Sequence, residues 1–125
     1  MTVIAFKSVK IDKEKFDYIF GKVLSNTHNA DRSSQLALQM KRLGVPDTQF
    51  GHDWLTKHFD DVVKQPNNVI ETFSKRKQNF ELRESFFAGP SGKFAKFQIA
   101  FEIMLDGTRR FTTLVIKDGM KRVKR

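Results

Sequence analysis

The sequence predicts an α+β domain, with N-terminal helices packed on one face of a C-terminal four-stranded antiparallel meander sheet. Three observations predict it. Apolar residues recur at helical spacing as far as about Lys64 and alternate from Val69 onward. Asp106-Gly107, between two alternating runs, is a hairpin signal. No repeat, low-complexity segment or linker interrupts the chain, so residues 1–125 are expected to form one domain, with 117–125 a basic tail.

Met1 to Val9 is a short strand or an ordered lead-in. Asp12 then caps a helix over Lys13 to Val23, whose buried stripe is Phe16, Ile19, Phe20 and Val23. A second helix runs from about Ala30 to Leu43, with Asn29 as its N-cap and Gly44 as its C-cap; Leu36, Met40 and Leu43 point inward. The third spans Thr48 to Lys64 and buries Leu55, Phe59 and Val62, with Trp54 beside them. Strands follow over Val69 to Lys75 and Phe80 to Ala88. After the Gly89-Pro90-Ser91-Gly92 turn come a strand from Lys96 to Leu105 and a last one from Thr108 to Lys117.

If the Asp106-Gly107 turn holds two residues, Leu105 opposes Thr108, Glu102 opposes Phe111, Ala100 opposes Thr113 and Gln98 opposes Val115. That register gathers Lys96, Gln98, Glu102, Arg109, Phe111 and Thr113 on the face away from the core, and Arg83 and Ser85 share its polar parity. Such a face is either a platform for RNA or an ordinary solvated sheet surface.

Composition narrows the function. The chain has 125 residues, 39% hydrophobic and 30% charged, and no apolar run long enough for a membrane span. Zero cysteines exclude disulfides and thiolate chemistry. No secretory signal is evident near Met1. The excess of 23 basic over 14 acidic residues, a net +9, points to a polyanionic partner, whether nucleic acid, an acidic protein or a membrane surface.

The richest chemistry lies in Asn26-Thr27-His28-Asn29-Ala30-Asp31-Arg32-Ser33-Ser34-Gln35. A helix start there would point backbone N–H groups at an anion, and Arg32, one turn on, could face the same anion as His28. An ordinary capped helix would read the same way. Metal chemistry has little to work with, because His52 and His58 are about 240° apart around a helix and no HExxH pattern occurs. No phosphate loop is present either, so neither a metal nor a cofactor is expected.

What remains is metal-free RNA cleavage, in which a ribose 2′-hydroxyl attacks its own phosphate. That reaction needs a proton acceptor, a proton donor and cations around the phosphorane. His28, Arg32, Ser33, Arg83, Ser85 and Thr113 supply those groups, provided the fold brings the second helix against the open sheet face.

Several runs together resemble a known family. Gly21-Lys22, His28-Asn29, Arg32-Ser33 and Gln35, then Leu43-Gly44-Val45 and Asp47, then Gly51, Leu55 and His58-Phe59, are similar to C-terminal toxin domains of filamentous haemagglutinin-type and contact-dependent growth inhibition proteins. Arg83-Glu84-Ser85-Phe86-Phe87-Ala88-Gly89-Pro90-Ser91-Gly92 matches a run of those domains, and the likeness covers about residues 18 to 116. The order of helices and meander also resembles the barnase, EndoU, colicin and RelE group of ribonucleases. The resemblance implies a metal-independent ribonuclease, often acting on tRNA, that is neutralised by an acidic immunity protein. It would work in the cytoplasm of a target bacterium after delivery as part of a larger secreted protein. His28, Arg32, Ser33, Arg83 and Ser85 fall on motif positions, whereas Thr113 comes from the strand register alone. A non-enzymatic RNA- or DNA-binding protein of phage or regulatory type, or a surface that only docks an acidic partner, would share the same charge.

Overall fold

The computed structural model describes residues 9–23 and 27–117. Three helices, α1 (Lys13–Ile19), α2 (Thr27–Leu43) and α3 (Gln49–Lys64), precede four strands, β1 (Val69–Lys75), β2 (Gln78–Ala88), β3 (Phe94–Ile103) and β4 (Arg109–Lys117). The strands pair in the order β1-β2-β3-β4, every pair antiparallel, which is the expected meander. The expected lead-in strand over Met1 to Val9 lies outside the described residues except for Val9, as does the tail after Lys117.

Each helix ends for a local reason. α1 stops short of Val23 because Gly21 adopts a left-handed φ of 83°. Asp12 sits at its N-cap position, but its carboxylate is drawn away to Arg110 instead of capping. α2 starts earlier than expected, at Thr27, so Asn29 is inside the helix and not its N-cap. Gly44, with φ 79°, closes α2, and the amide of Val45 reaches back to the Met40 carbonyl. The Gly89-Pro90-Ser91-Gly92 turn then serves α2 directly. Ser91 donates its N–H to Leu43 O at 3.0 Å and its hydroxyl to Arg42 O at 3.0 Å, satisfying carbonyls the helix leaves open. A Cβ at Gly89 would sit 2.1 Å from Leu43 O, so only glycine lets the turn approach.

The core lies between the helices and one sheet face. Ile19, Met40, Leu43, Leu55 and Phe59 meet Phe87, Phe97, Ile99, Phe101 and Phe111, all fully or almost fully buried. α2 and α3 bury the residues the helical spacing predicts, with Ser33 and Gly51 in addition, whereas in α1 only Ile19 is buried, Phe16 and Phe20 are half-buried, and Val23 lies beyond the helix.

The β3–β4 register departs from expectation in a defined way. The loop holds three residues, not two, so Met104 and not Leu105 opposes Thr108, and Gly107 takes φ 87°. Pairing near the turn is therefore Ile103 with Arg109, Glu102 with Arg110 and Phe101 with Phe111. A bulge at Thr112 then restores the expected pairs, Ala100 with Thr113 and Gln98 with Val115. A one-residue slip exchanges faces. Phe111 accordingly enters the core, fully buried and stacked on Phe59 at 5.0 Å, instead of lying on the open face. Arg109 goes with it, and Arg110 takes the outer position opposite Glu102.

The parity of β2 also differs. Arg83 pairs with Ile99 and Ser85 with Phe97, both core residues, so Arg83 and Ser85 face the helices and not the open surface.

Candidate functional site

His28, Arg32, Gln35 and Gln39 follow one another at three- and four-residue steps, so they form one stripe along α2. His28 and Arg32 are exposed. Arg32, Gln35 and Gln39 border a groove of about 360 Å³ between α2 and β4, with Tyr18, Leu114 and Ile116 among its apolar lining. Arg42 extends the stripe, its Nε donating to Gln39 Oε1 at 3.0 Å and Nη2 to Phe94 O at 3.4 Å. A guanidinium bordering a slot edged with carboxamides can hold an extended polyanion, and the His28 imidazole lies one turn away on the same helix face.

Ser33 is fully buried. Its hydroxyl donates to Tyr18 O at 2.6 Å and accepts from Val23 N at 3.4 Å, which fastens α1 to α2. Arg83 is 5% exposed and fully engaged. Its Nε donates to Glu81 Oε2 at 2.5 Å, and Nη1 reaches Gln65 O at 2.7 Å, Asn68 Oδ1 at 2.6 Å and Val62 O at 3.3 Å. The guanidinium thus closes the C-terminal end of α3. Burial pushes the Glu81 carboxyl up, but hydrogen bonds from Arg83 and Arg109 outweigh it and hold the group below its ordinary range. Ser85 is paired with His58, Nε2 to Oγ 2.9 Å, against the core rings Phe87 and Phe97. Burial lowers the His58 pKa to about 4, so the ring is neutral at physiological pH.

Thr113 lies on the open face, opposite Ala100, on the strand that borders the groove. Of the six expected residues, then, His28 and Arg32 share a surface and Thr113 belongs to the adjacent strand. Ser33, Arg83 and Ser85 are turned into the interior.

The open face carries its own polar network. Gln98 donates to Glu84 Oε2 at 2.8 Å, with Lys96 3.8 Å from the other oxygen. Gln78 and Arg110 hold Glu102 from its two sides at 2.8 and 3.1 Å, and Arg110 also binds Asp12. One further group was missed by sequence reasoning. His52 stacks on Phe16 at 4.1 Å and meets Asp47 Oδ1 at 2.7 Å, while Lys22 binds the other carboxylate oxygen. The Lys22 hydrogen bond, opposed by burial and helped by His52, holds the Asp47 carboxyl low. The signal was the Asp47–His52 separation across the start of α3, which has the acid just before the helix and the imidazole in its first turn. Among the described residues, no three His, Asp or Glu side chains converge as a metal site, and no helix is long and apolar enough to cross a membrane.

No family model matches the chain, and no curated protein matches it. Among solved structures it is similar to a chain of a contact-dependent growth inhibition toxin–immunity protein complex from Klebsiella pneumoniae 342. The two are 50% identical over 90% of this chain and 95% of that one, with a TM-score of 0.82.

Proposed function

The chain belongs to the contact-dependent growth inhibition toxin family, and from that premise we propose that it is a metal-independent ribonuclease toxin neutralised by an immunity protein. Its substrate is structured RNA, with tRNA the first candidate, and it acts in the cytoplasm of the cell it enters. The observation that carries this reading is the exposed His28–Arg32 pair, one helical turn apart, of which Arg32 borders the α2–β4 groove. The net charge of +9 supports it, since RNA must be drawn to the surface before it is cut.

In this mechanism the ribose 2′-oxygen attacks the adjacent phosphorus, and the bond from phosphorus to the 5′-oxygen breaks. One proton leaves the 2′-hydroxyl and one arrives on the 5′-oxygen, giving a 2′,3′-cyclic phosphate and a free 5′-hydroxyl. His28 carries one of these two transfers. Arg32 holds the phosphate oxygens as charge gathers on them. Thr113 stands apart from this arrangement on the open face of β4, the groove being lined from that strand by Leu114, Val115 and Ile116. Ser33, Arg83 and Ser85 act by positioning: Ser33 binds α1 to α2 beside the groove, and Arg83 and Ser85 bind α3 to the sheet.

The test is expression in bacteria without an immunity partner, followed by sequencing of RNA ends after brief induction. Wild type should arrest growth and leave new 5′-hydroxyl ends, while His28→Ala and Arg32→Ala should do neither. Arrest by His28→Ala equal to wild type removes His28 from the chemistry. Salt-sensitive RNA binding with no new ends would make the protein a binder and not a nuclease.

A further inference from the structure

The β1–β2 hairpin is poorly explained by stability. All of β1 is exposed, including Ile70 and Phe73, so the strand adds nothing to the core. Lys75 pairs with Gln78, leaving a two-residue turn of Arg76 and Lys77. Their φ values are 53° and 64°, both left-handed. A turn of this kind favours asparagine and glycine, because a Cβ crowds the carbonyl in that region. Two long basic residues at these positions are locally unfavourable. Strain of this sort, kept in place by its surroundings, is a pointer to function.

The surroundings do keep it in place. Ser74 Oγ donates to Asn79 Oδ1 across the hairpin at 2.7 Å, and Phe73 stacks on Phe80 at 5.1 Å. Lys75, Arg76 and Lys77 form a run of three exposed cations with no ion-pair or hydrogen-bond partner for their side chains among the described residues. No acidic residue lies between Glu71 and Glu81, and Glu81 is turned inward to Arg83 and Arg109. Phe73, still 39% exposed, offers a ring just behind the charged tip.

The geometry points to the β1–β2 hairpin as a second RNA-binding element, whose Lys75-Arg76-Lys77 tip grips backbone phosphates remote from the bond that is cut. This deepens the ribonuclease reading and rests on it. Cations at the tip meet phosphate, and the Phe73 ring stacks on a neighbouring base or sugar. The tip therefore gives up turn preference in exchange for charge.

The double variant Arg76→Asn/Lys77→Gly tests this, because it installs the favoured turn while removing two charges. It is built into the full chain carrying His28→Ala, so that labelled RNA survives the titration, and binding is measured by anisotropy across a salt series. Its melting temperature should equal or exceed that of its parent. Its RNA affinity at about 100 mM salt should fall on the order of tenfold, and the slope of log affinity against log salt should become shallower by about 1.5. The charge-conserving exchange Arg76→Lys/Lys77→Arg should keep both. Unchanged affinity and slope in the double variant, with the parent binding normally, overturn the hairpin's role. A parent that shows no salt-sensitive RNA binding refutes instead the nuclease reading beneath it. If the double variant keeps its RNA affinity but loses capture of the immunity protein, the tip belongs to that protein partner and the inference is wrong.

Discussion

Replacing His58 by glutamine should flatten the acid limb of the stability curve. The wild-type ring is packed edge-on against Phe87 at 5.0 Å and Phe97 at 5.6 Å, and burial lowers its pKa from 6.5 to about 4, with Asp61 pulling weakly the other way. Below the unfolded value the unfolded chain takes up a proton that the folded chain refuses. Stability is therefore complete above about pH 6.5 and is lost as pH falls towards 4. Each pKa unit is worth about 1.4 kcal/mol, so the full loss is about 3 kcal/mol, most of which appears between pH 7 and pH 4.5. The carboxyls of Asp47, held low by Lys22, and of the buried Glu81, held low by Arg83 and Arg109, contribute mainly below that window. His58→Gln keeps a polar partner for Ser85 but cannot titrate. It should be less stable at pH 7 by about 1–2 kcal/mol from lost packing, yet nearly unchanged relative to itself at pH 4.5. Urea unfolding followed by the single tryptophan, Trp54, measures both proteins over the series. Parallel pH profiles, or a His58 ring resonance that titrates near 6.5, would refute the burial argument.

Other expectations follow from the same packing. Arg83→Met should cost about 3–5 kcal/mol in chemical denaturation, since Glu81 and the α3 carbonyls lose their partner; cleavage that survives in the folded fraction at low temperature would mark the residue as structural. Phe111→Ala should cost about 3–5 kcal/mol as a core deletion, whereas an open-face stacking residue would cost under 1 kcal/mol by the same denaturation measurement. At Gly51 a Cβ would lie 1.8 Å from Pro46 O, so Gly51→Ala should lower the melting temperature sharply or prevent folding, read by circular dichroism. Arg32→Lys should retain RNA affinity but lose most of the cleavage rate in a single-turnover assay, because an ammonium cannot make the two-pronged phosphate contact.

Helical periodicity was a good guide to the buried stripes of α2 and α3, because such a stripe is set by geometry, but in α1, cut short by Gly21, only Ile19 is buried. The helix start at Thr27 was less visible, since Asn29 looks like a cap but lies within the first turn. The meander order followed from short turns, yet its faces did not. Asp-Gly serves both a two-residue turn and a three-residue loop ending in a left-handed glycine, and only the structure distinguishes them. The Thr112 bulge that cancels the difference has no local signature, so Thr113 was placed correctly while Phe111 and Arg109 were not. In β2 the set Phe80, Leu82, Glu84 and Phe86 is the more apolar, yet it is Glu81, Arg83, Ser85 and Phe87 that face inward. The inward set keeps Glu81, Arg83 and Ser85 because distant groups satisfy them: Arg109, the end of α3, and His58. A buried charge of that kind cannot be recognised until its partners are known. The stripe of His28, Arg32, Gln35 and Gln39 was only partly read, for the carboxamides acquire meaning from the groove beside them.

The bridge between Lys10 and Arg110, reinforced by Asp12, joins the segment before α1 to β4, in a sheet whose strands otherwise pair with sequential neighbours. Every hairpin can zip from its own turn, so most of the sheet forms through short loops and at low entropic cost. Asp12 and Arg110 are 98 positions apart, so the clasp can close only after β4 has met the segment before α1. It belongs late in folding, where an interaction scarcely alters how fast the protein assembles but governs how long it stays assembled. Loss of the Asp12–Arg110 contact would therefore show itself in how fast the fold comes apart, with little change in how fast it forms.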